Sequence, residues 1–144
     1  MPRLDAERIA LWRRWHTTSI TLVRKVDAQL MEDHSLPLAW FECLTAIRDA
    51  GGTMRVHELS EALEELPSSL SRRLDRLEDE GLVRRKHTPL PDDRRAVSVS
   101  LTSPGRAAWR DANITYRRMV QAHFAQHLTD TDLAALQRVF SKWR

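Results

Sequence analysis

The stretch Arg84–Arg106, RRKHTPLPDDRRAVSVSLTSPGR, decides the fold. It opens on a basic run, passes through a segment broken by Pro89 and Pro91, and reaches Asp92-Asp93-Arg94-Arg95. Strict alternation follows: Val97, Val99 and Leu101 fall to one face and Ser98 and Ser100 to the other, as in a half-buried strand. Thr102-Ser103-Pro104-Gly105 then stops it. The expected structure is a two-stranded hairpin over roughly residues 82–101 with Arg94 and Arg95 at its tip. Asp93, two positions before Arg95, is expected to hold that arginine's guanidinium in a carboxylate pair. A proline-stiffened tip that presents arginine suits a narrow, strongly negative minor groove.

Upstream, Leu66-Pro67-Ser68-Ser69 forms a turn with Pro67 placed to begin a helix. Leu70, Leu74 and Leu77 recur at i, i+4, i+7, and Gly81 is a natural stop. The other side of that helix displays Ser68, Ser69, Ser71, Arg72 and Arg76, with Arg73 near the boundary. Hydroxyls and arginines on one face suit a major groove, where Ser contacts phosphates or base edges and Arg pairs bidentately with guanine. Between Pro67 and Arg95 eight basic residues stand against six acids, so the face is cationic only if folding sorts the charges.

The flanks read as helix. Residues 5–33 form a long helix capped by Asp5, with Ile9, Trp12, Trp15, His16, Val23, Val26 and Leu30 on one broad stripe. After Pro37 a second helix runs through Trp40, Phe41, Leu44 and Ile47 to Gly51-Gly52. A short helix spans Val56 to about Leu63. Thr102 or Ser103 caps another long helix, expected to reach about His127, and Thr129–Asp132 forms a capping box for a last helix bearing Leu133, Leu136, Val139, Phe140 and Trp143. A helix of some 25 residues spans about 37 Å, more than a compact core of this size covers. The end helices therefore need a partner, and a second copy of the chain is the simplest. One folded-back monomeric bundle is the competing arrangement.

Composition narrows the function classes. The chain has 144 residues, 42% hydrophobic and 30% charged, as expected of one globular domain able to bury a core. The net charge of +3 permits a nucleic-acid partner without establishing one. Four glycines cannot build a glycine-rich phosphate cradle, and a single cysteine, Cys43, forms no internal disulfide and suits a reducing, cytoplasmic setting. No apolar run is long enough for a membrane span, and the first residues lack a signal-peptide core. No nucleophile elbow, metal triad or paired-carboxylate signature marks an enzyme, so no catalytic residue and no cofactor are expected.

Glu80-Gly81-Leu82-Val83-Arg84-Arg85, Asp93-Arg94-Arg95 and Leu101-Thr102-Ser103-Pro104-Gly105, in that order behind a leucine-spaced helix, resemble the multiple-antibiotic-resistance regulator (MarR) family. The helix order before and after agrees, so the resemblance covers nearly the whole chain. It implies a mainly α fold with a small β wing: a winged helix-turn-helix over about residues 38–101, flanked by dimerisation helices over about 5–33 and 103–144, all in one domain. It implies a homodimeric regulator that binds pseudo-palindromic double-stranded DNA, commonly as a repressor, often released by a small phenolic or aromatic acid or by oxidation.

By that resemblance Arg95 is the minor-groove residue, while Ser68, Ser69, Ser71, Arg72, Arg73 and Arg76, with Arg94, lie on the DNA-reading surface. Trp12, Arg13, Trp15, His16 and Trp40 fall in the segments from which the family builds its effector cavity. One departure stands out. Glu64-Glu65 occupies a turn where relatives often carry glycine, and two carboxylates there would weaken phosphate binding unless they point away. His123 and His127, four apart late in a helix, are read as a surface pair rather than a metal site, and Cys43 as a core residue rather than a redox switch. The rival classes are a winged-helix protein–protein module that does not bind specific DNA, and a metal- or redox-responsive regulator of the same fold.

Overall fold

The structure, a computed structural model, describes residues 3–143. Helix α1 (Ala6–His34) starts at Asp5, whose carboxylate accepts the Arg8 N–H at 3.0 Å and also meets the Arg8 guanidinium. Helix α2 (Leu38–Asp49) begins behind Pro37, which has no side-chain oxygen to cap with. Asp27 of α1 reaches across instead and accepts the Leu38 N–H at 2.8 Å. The chain continues through β1 (Thr53–Arg55), α3 (Val56–Leu63), α4 (Pro67–Asp79), β2 (Val83–His87), β3 (Val97–Leu101), α5 (Ser103–His123), a 3₁₀ turn (Ala125–His127) and α6 (Asp130–Phe140).

One core joins the middle of the chain to the inner parts of α1 and α5. Phe41, Leu44 and Ile47 of α2, Leu59 of α3, Leu70, Leu74 and Leu77 of α4, and Val83, Val99 and Leu101 of the sheet are all buried. Leu30 of α1 and Ala112 of α5 close it. Between α2 and α5, Phe41 packs on Tyr116 at 4.7 Å and Trp109 donates its indole N–H to Thr45 at 2.9 Å. His34 Nε2 lies 2.8 Å from Thr115 Oγ1, which ties the end of α1 to α5.

The expected helix-turn-helix and hairpin are present, with two differences. The sheet has three antiparallel strands in the order β1-β3-β2, not two. Thr53–Arg55 pairs with Ser98–Ser100, a strand too short to show alternation in the sequence. Helix α5 ends at His123 rather than near His127, and the chain tightens into the 3₁₀ turn before the Thr129 cap of α6, a common way for a helix to finish. His123 and His127 therefore do not share a continuous helix, and His127 Nε2 lies 3.2 Å from the Ala122 carbonyl. Thr129 and Asp132 do form the reciprocal capping box.

Candidate nucleic-acid interface

The turn between α3 and α4 treats its two glutamates differently. Glu64 takes the left-handed conformation, φ 53°, that ends α3, and its side chain is exposed. Glu65 points inward, with Oε2 2.7 Å from Arg73 Nη2 and Oε1 accepting from Arg73 Nη1 at 3.0 Å. Arg73 Nη1 also lies 3.3 Å from the Cys43 sulfur. Arg73 thus faces the interior, with its side chain only 16% exposed, and leaves the outer face of α4 to its neighbours. Ser68, Ser69, Ser71, Arg72 and Arg76 are exposed there, while Leu70, Leu74 and Leu77 anchor the opposite face. Cys43 is fully buried, and burial pushes its thiol above the ordinary value, the wrong direction for a reactive thiolate.

The wing is held to α4 by one arginine. Arg85 donates its backbone N–H to Glu78 Oε2 at 2.9 Å, and its Nε and Nη2 donate to Glu78 Oε1 at 3.2 and 3.0 Å. Asp75, one turn earlier, meets the same guanidinium. These bonds, the backbone one foremost, hold the Glu78 carboxyl below its ordinary value. At the tip, Leu90 and Asp93 exchange backbone hydrogen bonds of 2.7 and 3.1 Å around Pro91-Asp92. The expected Asp93–Arg95 side-chain pair is not the contact made. Asp93 Oδ1 accepts the backbone N–H of Arg95 at 3.0 Å, because an aspartate reaches the amide two residues on more easily than that residue's distant guanidinium. The carboxylate rigidifies the turn and leaves the Arg94 and Arg95 side chains exposed.

Folding therefore sorts the charges. Of the eight cations between Pro67 and Arg95, Arg73 and Arg85 are taken up by Glu65, Glu78 and Asp75. Arg72, Arg76, Arg84, Lys86, Arg94 and Arg95 are exposed and, among the described residues, make no ion pair. No local signal marked Arg73 or Arg85 as structural, since their partners lie 8 and 7 residues away across turns.

The base of the wing depends on a close backbone approach. Thr102 caps α5 by accepting the Gly105 N–H at 3.0 Å and donates its hydroxyl to the Gly81 carbonyl at 2.6 Å. A Cβ on Gly105 would lie 1.9 Å from the Leu82 carbonyl oxygen, so no other residue fits there unless the backbone moves.

Among the described residues the aromatic candidates fall in two environments. Trp12, Arg13, Trp15 and His16 are exposed on the outer half of α1, where Trp15 meets Phe140 of α6 at 5.3 Å. Trp40 packs half-buried against the core.

Comparison with known proteins places this architecture. The MarR family model matches residues 36–97. The multiple antibiotic resistance protein MarR of Escherichia coli (strain K12) is 31% identical over 127 residues, covering 85% of this chain and 86% of that protein. The chain belongs to the MarR family. Among solved structures, a MarR family transcriptional regulator from Streptomyces coelicolor in complex with DNA matches this MarR-family chain with a TM-score of 0.87 and 26% identity, over 98% of this chain and 88% of the other. A mutant MarR from E. coli complexed with operator DNA matches with a TM-score of 0.80 and 30% identity over 98% of each. The chain is a DNA-binding, winged-helix transcriptional regulator, not an enzyme.

Proposed function

We propose that this MarR-family chain works as a homodimeric repressor in the cytoplasm. Each α4 enters the major groove of one half of a pseudo-palindromic operator, and each wing tip sets Arg95 in the adjacent minor groove. The observation that carries this reading is the sorting of charge. Glu65, Asp75 and Glu78 are spent on Arg73 and Arg85, which leaves Arg72, Arg76, Arg94 and Arg95 without an ion pair among the described residues, on the same surface region as the hydroxyls of Ser68, Ser69 and Ser71.

The dimer is supported by what the end helices leave uncovered. Leu11, Trp12 and Val23 of α1 are 61%, 67% and 52% exposed, with Leu133 and Phe140 of α6 also open. Large apolar side chains left open along two helices that meet at Trp15 and Phe140 suit an interface. A partner's helices laid along α1 would also build walls beside Trp12, Arg13, Trp15 and His16, where a planar aromatic anion could stack and be held by a cation. Such a ligand releases the operator only by favouring a dimer geometry that DNA does not fit.

The test is operator affinity. Arg95→Ala should weaken binding by about 1–3 kcal/mol without loss of thermal stability, since an exposed tip residue supplies no core atom. Arg72→Ala and Arg76→Ala should act likewise, and binding should fall steeply with salt. Unchanged affinity in Arg95→Ala at moderate salt would count against setting the wing tip in the minor groove.

A further inference from the structure

A recess of about 670 Å³ opens where α5 meets the end of α2 and the sheet, and none of its lining comes from α4 or the wing tip. Arg48, Arg106 and Arg110 line it with Trp109 and the Gly51-Gly52 turn. Its one carboxylate, Asp49, is already held by Arg48 at 3.2 Å. Two of the three guanidinium groups are fixed by the protein. The Arg48 group lies 4.0 Å from the centre of the Trp109 ring. Arg106 Nη1 donates to the Leu101 carbonyl at 3.2 Å. Gly52 makes room for it: a Cβ there would stand 2.9 Å from Arg106 Nη2, and the backbone φ of +99° disfavours any side chain. Arg110 is one helical turn beyond Arg106, so both project to the same side of α5. Among the described residues, neither has a carboxylate partner.

The tryptophan does not offer itself as a stacking surface. Arg48 covers it, Phe41 lies nearly parallel to it at 6.3 Å, and its N–H is given to Thr45. What the recess offers is preoriented positive charge, and guanidinium forks match carboxylate and phosphate oxygens.

We infer that this recess binds a small compound bearing two or more negative charges on phosphate or carboxylate groups, held by Arg48, Arg106 and Arg110. The site is separate from the aromatic one proposed on α1. Its ligand would tie α5 to α2 and to the root of the wing, and the inference does not depend on which operator the protein reads.

Calorimetry on the full chain at low salt tests it, with pyrophosphate, citrate and salicylate as probes. Pyrophosphate or citrate should bind, the stronger of the two telling a phosphate from a carboxylate ligand, and singly charged salicylate should bind more weakly at this site. Arg110→Glu should raise the dissociation constant by about tenfold or more, with Arg110→Gln intermediate. Arg117→Glu makes the same charge change at an exposed position further along α5 and should leave binding within about twofold, as should Arg76→Ala on the DNA-reading face. The inference fails if neither polyanion binds, or if Arg117→Glu weakens binding as much as Arg110→Glu, which would mean diffuse attraction. Loss in Arg76→Ala would place the anion on the DNA surface and also overturn it.

Discussion

At the scale of single residues, backbone geometry makes the sharpest demands. Gly105 lies where the start of α5 crosses the Leu82 carbonyl, and a methyl group there meets backbone, which cannot rotate away. Gly105→Ala should therefore cost about 3 kcal/mol, at the upper end for overpacking, and a denaturation midpoint would show it. Glu64 presents the opposite case. It holds a left-handed conformation at a helix end where glycine carries no Cβ penalty, and its side chain makes no ion pair among the described residues. Glu64→Gly should raise stability by about 0.5–1 kcal/mol and remove a negative charge near the DNA-reading face, so operator affinity should rise or hold. A fall in melting temperature for this variant would show that the exposed carboxylate has a stabilising partner. The motif Leu101-Thr102-Ser103-Pro104-Gly105 was legible as a stop and a cap. Why its glycine must be a glycine was not, because Leu82 lies 23 residues earlier in the chain and meets it only through the fold.

At the scale of elements, the link that matters joins α4 to the wing. Glu78 and Asp75 on α4 grip Arg85 on β2, so the wing keeps its angle to the recognition helix. Glu78 has its carboxyl held below the ordinary value in the folded state. A depressed folded value means the stabilisation is present above the unfolded carboxylate range and is lost as pH falls through the folded value. Glu78→Gln should lower stability by about 1 kcal/mol at neutral pH, the surface-pair range, since the Glu78 side chain remains 36% exposed. The gap from the wild-type protein should close on acidification below about pH 4. Melting curves across that range check the sign: a gap that persists at low pH would mean the variant acts by packing rather than by charge. Operator affinity of Glu78→Gln should fall as well, through a wing that no longer holds its angle.

At the scale of the whole molecule, α6 folds back so that Phe140 lies against Trp15, and both chain ends come to share one apolar surface. If that surface is the dimer interface, deleting residues 128–144 should leave a folded winged-helix lobe, because the described core draws nothing from α6. The truncated chain should sediment as a monomer or aggregate and lose specific operator binding, since two recognition helices must meet major grooves about one helical turn apart. A full-length monomer that binds a palindrome tightly would defeat the dimer proposal.

The sequence by itself determined the elements whose cause is local. Leucines at helical spacing placed α4, alternation placed β3, and Asp5 and Thr129 marked helix starts by side chains that bond to amides a few residues on, while the start of α5 was narrowed to Thr102 or Ser103. It also showed which arginines stood near the recognition surface. Tertiary structure decided which of them were available. Arg73 and Arg72 are neighbours of identical chemistry, yet one turns inward to Glu65 and the other to solvent, because the leucine face sets the rotation of α4 against the core. The short β1 strand became visible only when β3 supplied its hydrogen bonds, and the recess between Arg48, Arg106 and Arg110 formed only when α5 crossed the end of α2. Local signals decay within a few residues, whereas charge pairing and cavities are properties of surfaces that meet from distant parts of the chain.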